Sequence, residues 1–267
     1  MLGVSRSGYY EWRQRGLSDR EQVNQRLVRE IRYLHSAHKA RYGSPRIHIA
    51  LNRAGIEVGR GRVERLMKAH GIKAQRARRH KRVYAQRQML KPTENVLNRE
   101  FTAQKPNQKW VSDITFLPTR EGFLYLAIVL DLHSRAIVGW AMSQRINGQL
   151  VLDAIEMAVQ QRGKPKQVLV HSDQGSQYTA ESYRNLLRKH DMICSMSRKG
   201  ECHDNAVAES FFHTLKEELE PETVFPSRAQ ARQAVFKYIE MYYNRQRLHS
   251  SIGYHAPFEY ETMNAVA

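Results

Sequence analysis

The sequence predicts an α/β domain with a mixed sheet, preceded by an all-α region, and two patterns carry this prediction. As far as about residue 72, apolar residues recur three and four positions apart, which is typical of amphipathic helices. From Lys109 onward they fall in short runs, first in close succession and then alternating with helical patterns. Hydrophobic residues make up 41% of the 267 residues, so one or two globular domains are expected rather than disorder.

The first element is a short aromatic segment, G-V-S-R-S-G-Y-Y-E-W, at positions 3–12. A turn followed by a short helix fits this segment, as in the second half of a helix-turn-helix. A simple amphipathic helix fits it equally well. In the first interpretation the leading helix precedes Met1, and an upstream-encoded segment is then an expected partner of this chain.

Three more helices are predicted in the N-terminal region. Ser18 and Glu21 form a capping-box signature at the start of the first. Ser44 is expected to cap the second, with Pro45 at its first helical position. The third runs from about residue 60 to residue 70. Three short helices with a basic last helix fit a helix-turn-helix whose third helix enters the major groove of DNA, and a three-helix bundle with a solvated basic face is the alternative.

Positive charge is concentrated in the first hundred residues. Lys and Arg outnumber Asp and Glu there by 24 to 8, whereas residues 101–267 carry 19 and 18. Such a footprint is typical of a nucleic-acid-binding region, because each neutralised phosphate releases counterions. The alternative, charge that serves solubility, does not account for the asymmetry. The residues expected to contact DNA are Arg60, Arg62, Arg65 and Lys68 on the third helix, and Arg76, Arg78, Arg79, Lys81 and Arg82 in a basic linker at 73–104.

The second half of the chain is predicted to begin with three strands, at 110–116, 123–130 and 136–141. The short breaks between them favour an antiparallel meander. The elements expected to follow are a helix around 151–159, a strand at 168–170, a helix at 179–190, a strand at 193–196 and a helix over 204–216. A closing helix begins near Ser227, which forms a second capping-box signature with Gln230.

Three acidic residues occupy unusual positions in this region. Asp is depleted in strands because its short polar side chain competes for backbone hydrogen bonds. Asp113 nevertheless lies within the first strand, and Asp173 lies at the end of the strand that begins at Val168. Glu209 lies in a helix, and 35 residues separate it from Asp173. Metal binding is one reason for acids at these positions.

Five ordered motifs resemble the OrfB-type transposases of bacterial insertion sequences, whose catalytic core is of the retroviral-integrase type. The motifs are W-V-S-D-I-T, L-D-L-H-S-R-A-I-V-G-W, H-S-D-Q-G-S-Q-Y, D-N-A-V-A-E-S-F-F-H-T-L-K and Y-N-R-Q-R-L-H-S-S-I-G-Y. The resemblance spans roughly residues 33–260. It implies a ribonuclease-H-like mixed sheet of three antiparallel strands followed by alternating helices. The expected organisation is a helix-turn-helix region at 1–72, the linker at 73–104 and a core with a C-terminal helical extension at 105–262.

The resemblance also implies that Asp113, Asp173 and Glu209 are catalytic residues and metal ligands. Their carboxylates would hold two Mg²⁺ ions, with Mn²⁺ as a substitute, because hard oxygen ligands suit these cations. Such a site activates the attacking oxygen and stabilises the leaving oxygen in phosphoryl transfer. In related proteins the first two Asp residues share one metal ion and the Glu closes the second site, which implies that Asp113 binds both ions, Asp173 one and Glu209 the other.

Other polar residues near these acids have simpler interpretations. On an ideal helix His213 and Lys216 share a face with Glu209, so they are expected to contact DNA near the metal ions. Asp131 is expected to be a turn residue that pairs with Ser134 or Arg135. Asp204 is expected to be a helix N-cap. His171 is expected to line the site or to be a satisfied buried histidine.

Composition limits the compartment and the cofactors. The two cysteines, Cys194 and Cys202, are too few for a disulfide framework and favour a reducing compartment. With His190 and His203 they lack the spacing of a tetrahedral zinc site, so zinc is not expected. No apolar run reaches the roughly 18 residues that a membrane span needs. A cytoplasmic, nucleoid-associated bacterial protein without a membrane partner is expected.

A DNA transposase is the function that the resemblance implies. Such an enzyme cuts a strand at the ends of its element and joins the freed 3′-hydroxyl to another phosphodiester. Its partners would be double-stranded DNA of the terminal repeats and of the target, and it would act as a homo-oligomer on DNA. Two alternatives stay open: a catalytically inactive regulator that binds element ends, and a ribonuclease-H-like nuclease for hybrids or junctions.

Overall fold

The computed structural model describes residues 5–75, 93–219 and 224–265. The chain divides into two compact units, Met1–Gln75 and Arg76–Ala267. Five residues predicted to contact DNA lie outside the described residues: Arg76, Arg78, Arg79, Lys81 and Arg82. The predicted domain limits at residues 72, 104 and 262 stay predictions.

The first unit contains four helices within residues 5–75: α1 (Arg6–Gln14), α2 (Asp19–Ala37), α3 (Ser44–Arg53) and α4 (Arg60–Ala69). The capping box predicted at Ser18 is present, since its hydroxyl accepts from the Glu21 amide and the Glu21 carboxylate accepts from the Ser18 amide. The predicted N-cap at Ser44 is wrong. Gly43 occupies the cap position in an extended conformation, and Ser44 is the first helical residue.

Helices α2, α3 and α4 pack around a small apolar core. Its residues are Leu27, Val28, Ile31, Tyr42, Ile47, Leu51, Val63 and Met67. They recur at the three- and four-residue spacing that predicted the helices, because that spacing places them on one face. Helix α1 buries no residue, and Tyr9, Tyr10 and Trp12 are exposed on it.

The second unit contains a five-stranded mixed sheet in the order β3-β2-β1-β4-β5. Its strands are β1 (Lys109–Thr119), β2 (Gly122–Asp131), β3 (Ile137–Ser143), β4 (Leu169–Ser172) and β5 (Ile193–Met196). The first three strands are antiparallel, and β4 and β5 run parallel to β1 and to each other. This arrangement confirms the predicted fold class.

Helices flank the sheet, mostly where they were predicted. They are α5 (Gly148–Gln161), α6 (Ser176–Thr179), α7 (Glu181–Lys189), α8 (Ala206–Leu219), α9 (Arg228–Phe236) and α10 (Pro257–Ala265). The helix predicted at 179–190 is in fact a four-residue turn of helix followed by α7, with a break at Ala180. After α9 the chain continues as a π-helical segment, Lys237–Tyr243.

The tail after the π-helical segment packs on the core. Arg247 donates to both Glu218 carboxylate oxygens at 2.9–3.0 Å, and the Tyr238 hydroxyl donates to the same carboxylate at 2.9 Å. All three side chains are buried, and Glu218 lies near the end of α8. The buried ion pair therefore ties the closing segment to the helix that carries Glu209.

No helix in the described part of the chain is long and apolar enough to span a membrane.

Candidate active site

The register of the sheet sets Asp113 beside Asp173. Strands β1 and β4 pair in parallel, with Trp110 opposite Val170 and Val111 opposite His171. Continued two residues further, the same register brings Asp113 opposite Asp173, just beyond the last residue of β4. Neighbouring strands lie about 4.8 Å apart, and residues opposite each other in a parallel pair point to the same face. Continued in this way, the register brings two acids far apart in the sequence to the carboxyl end of β4, beside the central strand β1.

Helix α8 holds Glu209 near the same part of β1. The Asn205 side-chain amide, directly before α8, donates to the backbone carbonyl of Ser112 at 3.2 Å. Ser112 precedes Asp113, and Glu209 lies one helical turn beyond Asn205. The apolar face of α8 is buried through Phe211 and Leu215, as its spacing predicted. Packing of that face therefore holds the first turn of α8 against β1.

The electrostatics of Asp173 show the proximity of Glu209. Asp173 keeps an exposed outer surface, while its Oδ1 accepts from the Gly175 amide at 2.9 Å. Withdrawal of the carboxyl group from water raises the pKa of Asp173 above its ordinary value, and the charge of Glu209 raises the pKa further. The charge of Glu209 thus reaches the Asp173 carboxylate.

Tyr178 lies beneath the acids and was missed by sequence reasoning. The residue is buried, and its hydroxyl is 3.0 Å from the Ser112 hydroxyl. Burial raises the pKa of Tyr178 well above its ordinary value, and the charges of Asp113 and Asp173 contribute in the same direction. One side chain therefore senses both aspartates. Its place in the motif H-S-D-Q-G-S-Q-Y is the only signal in the sequence that could have indicated it.

The three carboxylates do not form a closed cage. Within residues 5–75, 93–219 and 224–265, no three His, Cys, Asp or Glu side chains are grouped tightly enough to hold a metal ion. The assignment of Asp113, Asp173 and Glu209 as a catalytic triad stays a prediction.

His171 is buried in a hydrogen-bonded chain that ends beside Asp173. Its Nδ1 is 2.9 Å from the Ser195 hydroxyl, and its Nε2 is 3.1 Å from the Ser197 hydroxyl. Ser195 already accepts from the amides of Val96 and Leu97, so its own hydrogen is available to donate to Nδ1. Nε2 then carries the imidazole hydrogen and donates to Ser197. His171 is a satisfied neutral histidine, one of the two roles expected for it.

Acid is expected to destabilise the fold through His171. Burial lowers the pKa of His171 from 6.5 to about 4. Between these values the unfolded chain binds more protons than the folded chain, so the free energy of unfolding falls as pH falls. The full effect is about 3 kcal/mol. Urea unfolding between pH 7 and pH 4.5 measures this change in the free energy of unfolding. The measurement is made in an Asp173→Asn background, because the raised pKa of Asp173 changes the stability in the opposite direction. His171→Asn in that background should flatten the slope, and an unchanged slope would refute the assignment.

Asp204 is an ion-pair centre, and its predicted role as an N-cap is wrong. Its fully buried carboxylate accepts from the side chains of Arg198 and Arg99 at 2.6–3.0 Å and from the Asn95 side chain at 2.9 Å. The Arg198 hydrogen bond is the first cause that holds the pKa of Asp204 well below its usual range. The cluster anchors the short turn before α8, and residues 93–99 with it. Sequence spacing could not show it, because Arg99 and Asp204 are 105 positions apart.

Asp131 is structural, as predicted, but with other partners. It accepts from the amides of Asn107 and His133 and from the indole of Trp110, at 2.7–3.3 Å. The predicted partners were Ser134 and Arg135. The Ser134 hydroxyl instead donates to Glu261 at 2.5 Å. The acid therefore closes the end of β2 through two backbone amides and the Trp110 indole, and the Arg162 guanidinium lies 3.8 Å from its carboxylate.

The two cations predicted beside Glu209 have different surroundings. The Lys216 ammonium lies 4.8 Å from the centre of the Phe116 ring, on the strand that carries Asp113. His213 is exposed and lies 3.3 Å from Glu217, one turn further along α8. Lys216 therefore lies against β1, whereas His213 points toward its own helix neighbour. Their contacts with DNA stay predictions.

Family models match both units of the chain. Residues 103–202 and 190–257 match two models described as Integrase core domain, and residues 22–81 match one described as HTH-like domain. A simian T-cell lymphotropic virus intasome, determined by electron cryomicroscopy in complex with a PP2A regulatory subunit, has a similar fold. The matched chain of that assembly is 15% identical to this chain, with a TM-score of 0.50. The match covers 86% of this chain and 73% of the other. The fold is thus that of a protein with an HTH-like region followed along the chain by an integrase core.

Curated relatives extend over almost the whole chain. Transposase InsF for insertion sequence IS3A of Escherichia coli K12 is 42% identical over 266 residues, which cover 99% of this chain and 92% of the relative. The transposase for IS904 of Lactococcus lactis is 41% identical over 247 residues, which cover 92% and 98%. The chain belongs to the insertion-sequence transposases. It is a DNA transposase and, in general terms, a polynucleotidyl transferase, which confirms the predicted family and function.

Proposed function

We propose that this transposase cuts DNA at the ends of its insertion sequence and joins the freed strand to target DNA by two-metal phosphoryl transfer. The observation that carries the proposal is electrostatic: the charges of Asp113 and Asp173 both act on Tyr178, and the charge of Glu209 acts on Asp173. The β1–β4 register, continued two residues beyond its last pair, supports a position for Asp113 opposite Asp173. No covalent enzyme intermediate is needed in such a reaction, so the acids suffice without a Ser or Tyr nucleophile.

The three acidic residues suit a hard divalent cation. Three carboxylates offer oxygen ligands. Burial, and after it the charge of Glu209, raises the pKa of Asp173, and a bound cation would favour the ionised carboxylate. Asp113 would bind both ions, Asp173 one and Glu209 the other, with Mg²⁺ as the metal and Mn²⁺ as a substitute. When bound, the ions supply activation of the attacking oxygen and stabilisation of the leaving oxygen.

Residues in several parts of the chain would bind and orient the DNA. Lys216, held against β1 at Phe116, would contact a phosphate near the acids, and His213 another. Tyr178 stays protonated at neutral pH and supports β1 through Ser112. The helices of the first unit would bind the terminal repeat, and the basic residues between 76 and 82 would follow its backbone. A homo-oligomer would bring two element ends together in the bacterial nucleoid.

Strand transfer with purified components tests the proposal. The full chain is incubated with a duplex that ends in the element's terminal repeat and with a supercoiled target plasmid. Joined products are expected with Mg²⁺ or Mn²⁺, and none with the metal chelated, because the acids alone repel the phosphate. Products should require the terminal repeat, since a scrambled duplex offers no site to the first unit.

Two outcomes would favour the alternatives. Tight binding of the terminal repeat without nicking or joining, at any metal concentration, would indicate a catalytically inactive regulator. Cleavage of RNA–DNA hybrids in preference to element ends would indicate a nuclease of hybrids. Either result would overturn the proposed reaction and leave the fold assignment unchanged.

A further inference from the structure

A groove between α2 and α4 carries an unusual concentration of guanidinium groups. It encloses about 180 Å³ and is lined by Arg20, Asn24, Arg62, Arg65, Leu66 and Ala69. Three of these residues are arginines, and the described lining includes no carboxylate. The groove lies wholly within the first unit. Its surroundings therefore favour an anion.

Arg62 is held in the groove by a neutral partner. Its Nε and Nη2 both donate to the Asn24 side-chain oxygen, at 3.0 and 2.8 Å. An amide oxygen fixes the plane of the guanidinium without neutralising its charge. Arginine has five N–H donors, so three remain for a ligand. Arg62 is thus pre-organised as a donor to an anion.

Helical spacing brings the other lining residues to the same side. On α4, Arg65, Leu66 and Ala69 lie three, four and seven positions after Arg62, on one helix face. On α2, Arg20 and Asn24 are four positions apart and form the facing wall. Arg65 is steadied by a bond from its Nε to the Gly61 carbonyl at 3.3 Å. Cationic side chains thus surround a small apolar base formed by Leu66 and Ala69.

We propose that this groove binds one phosphate of the DNA backbone, gripped by Arg62 with Arg20 and Arg65 around it. The volume corresponds to about six water molecules, which suits a phosphate group with its nearest waters. Planar guanidinium groups pair with phosphate oxygens through parallel hydrogen bonds. Arg62 then sets the position of α4 on the duplex and does not read a base. The inference rests on the proposed function, since it assigns a DNA contact of the first unit.

Asn24→Asp is the sharpest test, because it changes the charge beside Arg62 and keeps the shape. The full chain is titrated, with metal chelated, against a terminal-repeat duplex and a scrambled duplex of equal length. A carboxylate at this position would compete with the phosphate for Arg62. The slope of log affinity against log salt should become shallower by about 0.9, the value of one phosphate contact. Affinity at about 0.1 M salt should fall about tenfold for both duplexes, by the loss of charge-assisted hydrogen bonds.

Matched variants separate this contact from a diffuse effect of charge. Arg62→Gln should reproduce the change seen with Asn24→Asp. Arg29→Gln removes the same charge from α2 nine positions after Arg20, on the opposite face of the helix, and should leave the slope unchanged. Circular dichroism and thermal unfolding verify that each variant keeps its helices.

The outcomes distinguish this inference from the proposed reaction. If Arg62→Gln weakens only the terminal-repeat duplex, Arg62 reads a base and the inference is wrong. Equal slopes in wild type and Asn24→Asp, or the same loss in Arg29→Gln, would also overturn it, even with strand transfer intact. A wild-type chain that fails to join strands, while Asn24→Asp still lowers the salt slope, would refute the proposed reaction alone.

Discussion

Asp113→Asn is expected to abolish strand transfer while DNA binding survives. The substitution keeps the shape of the side chain and removes the negative charge that would bind both metal ions. Metal-assisted stabilisation of a phosphoryl transfer is worth several kcal/mol, so joining should fall by at least about a thousandfold. Asp173→Asn and Glu209→Gln should have similar effects, because each removes a ligand from a shared site. Joined products on a gel, with binding measured in parallel by electrophoretic mobility shift, check all three.

The basis of this expectation is spatial. Continuation of the β1–β4 register brings Asp113 opposite Asp173, and Glu209 on α8 contributes to the raised pKa of Asp173. Binding should persist because the basic excess lies in the first hundred residues, away from the acids in sequence. Loss of one of these negative charges should therefore abolish strand transfer and leave DNA binding intact.

Asp153→Asn provides a matched control. Asp153 is exposed on α5, where its carboxylate accepts from Gln149 at 2.7 Å, so the same change of charge should leave joining unchanged. If any one of the three active-site variants joins strands at a near-normal rate, that residue does not belong to the catalytic set.

Gly139→Ala is expected to give the largest loss of stability from a single added methyl group. A Cβ at this position would lie 2.2 Å from the Ala154 carbonyl oxygen and 2.7 Å from the Ala158 Cβ. Both contacts are with α5, whose backbone cannot move away without opening the core against β3. Overpacking of this kind costs about 3 kcal/mol or more. The midpoint of urea unfolding, with the slope held common, measures the change.

Gly148, the next glycine along the chain, supplies the comparison for Gly139. A Cβ there would meet only the Ser182 hydroxyl oxygen at 3.9 Å, an ordinary contact, and the residue is the first of α5. Gly148→Ala should be neutral or slightly stabilising, because Ala has the higher helix propensity. A loss below about 1 kcal/mol in Gly139→Ala would show that α5 yields more readily than its packing indicates.

Local patterns were sufficient for most elements of the fold. The spacing of Leu27 and Ile31 predicted α2, and the apolar runs predicted all five strands of the described sheet. The three acids were predicted from residue type, spacing and family resemblance. Their convergence depends on a strand register that no local pattern contains.

What the sequence determined by itself is most of the helices and strands and the charge of the first hundred residues, because these depend on composition and on neighbours a few positions away. The tertiary structure alone decided which groups meet. Asp204 accepts hydrogen bonds from Arg99 and Arg198, and Arg62 donates to Asn24. Asp204 and Arg99 are 105 positions apart, and Arg62 and Asn24 are 38 apart. Such contacts form only when packed elements bring distant side chains within hydrogen-bonding distance.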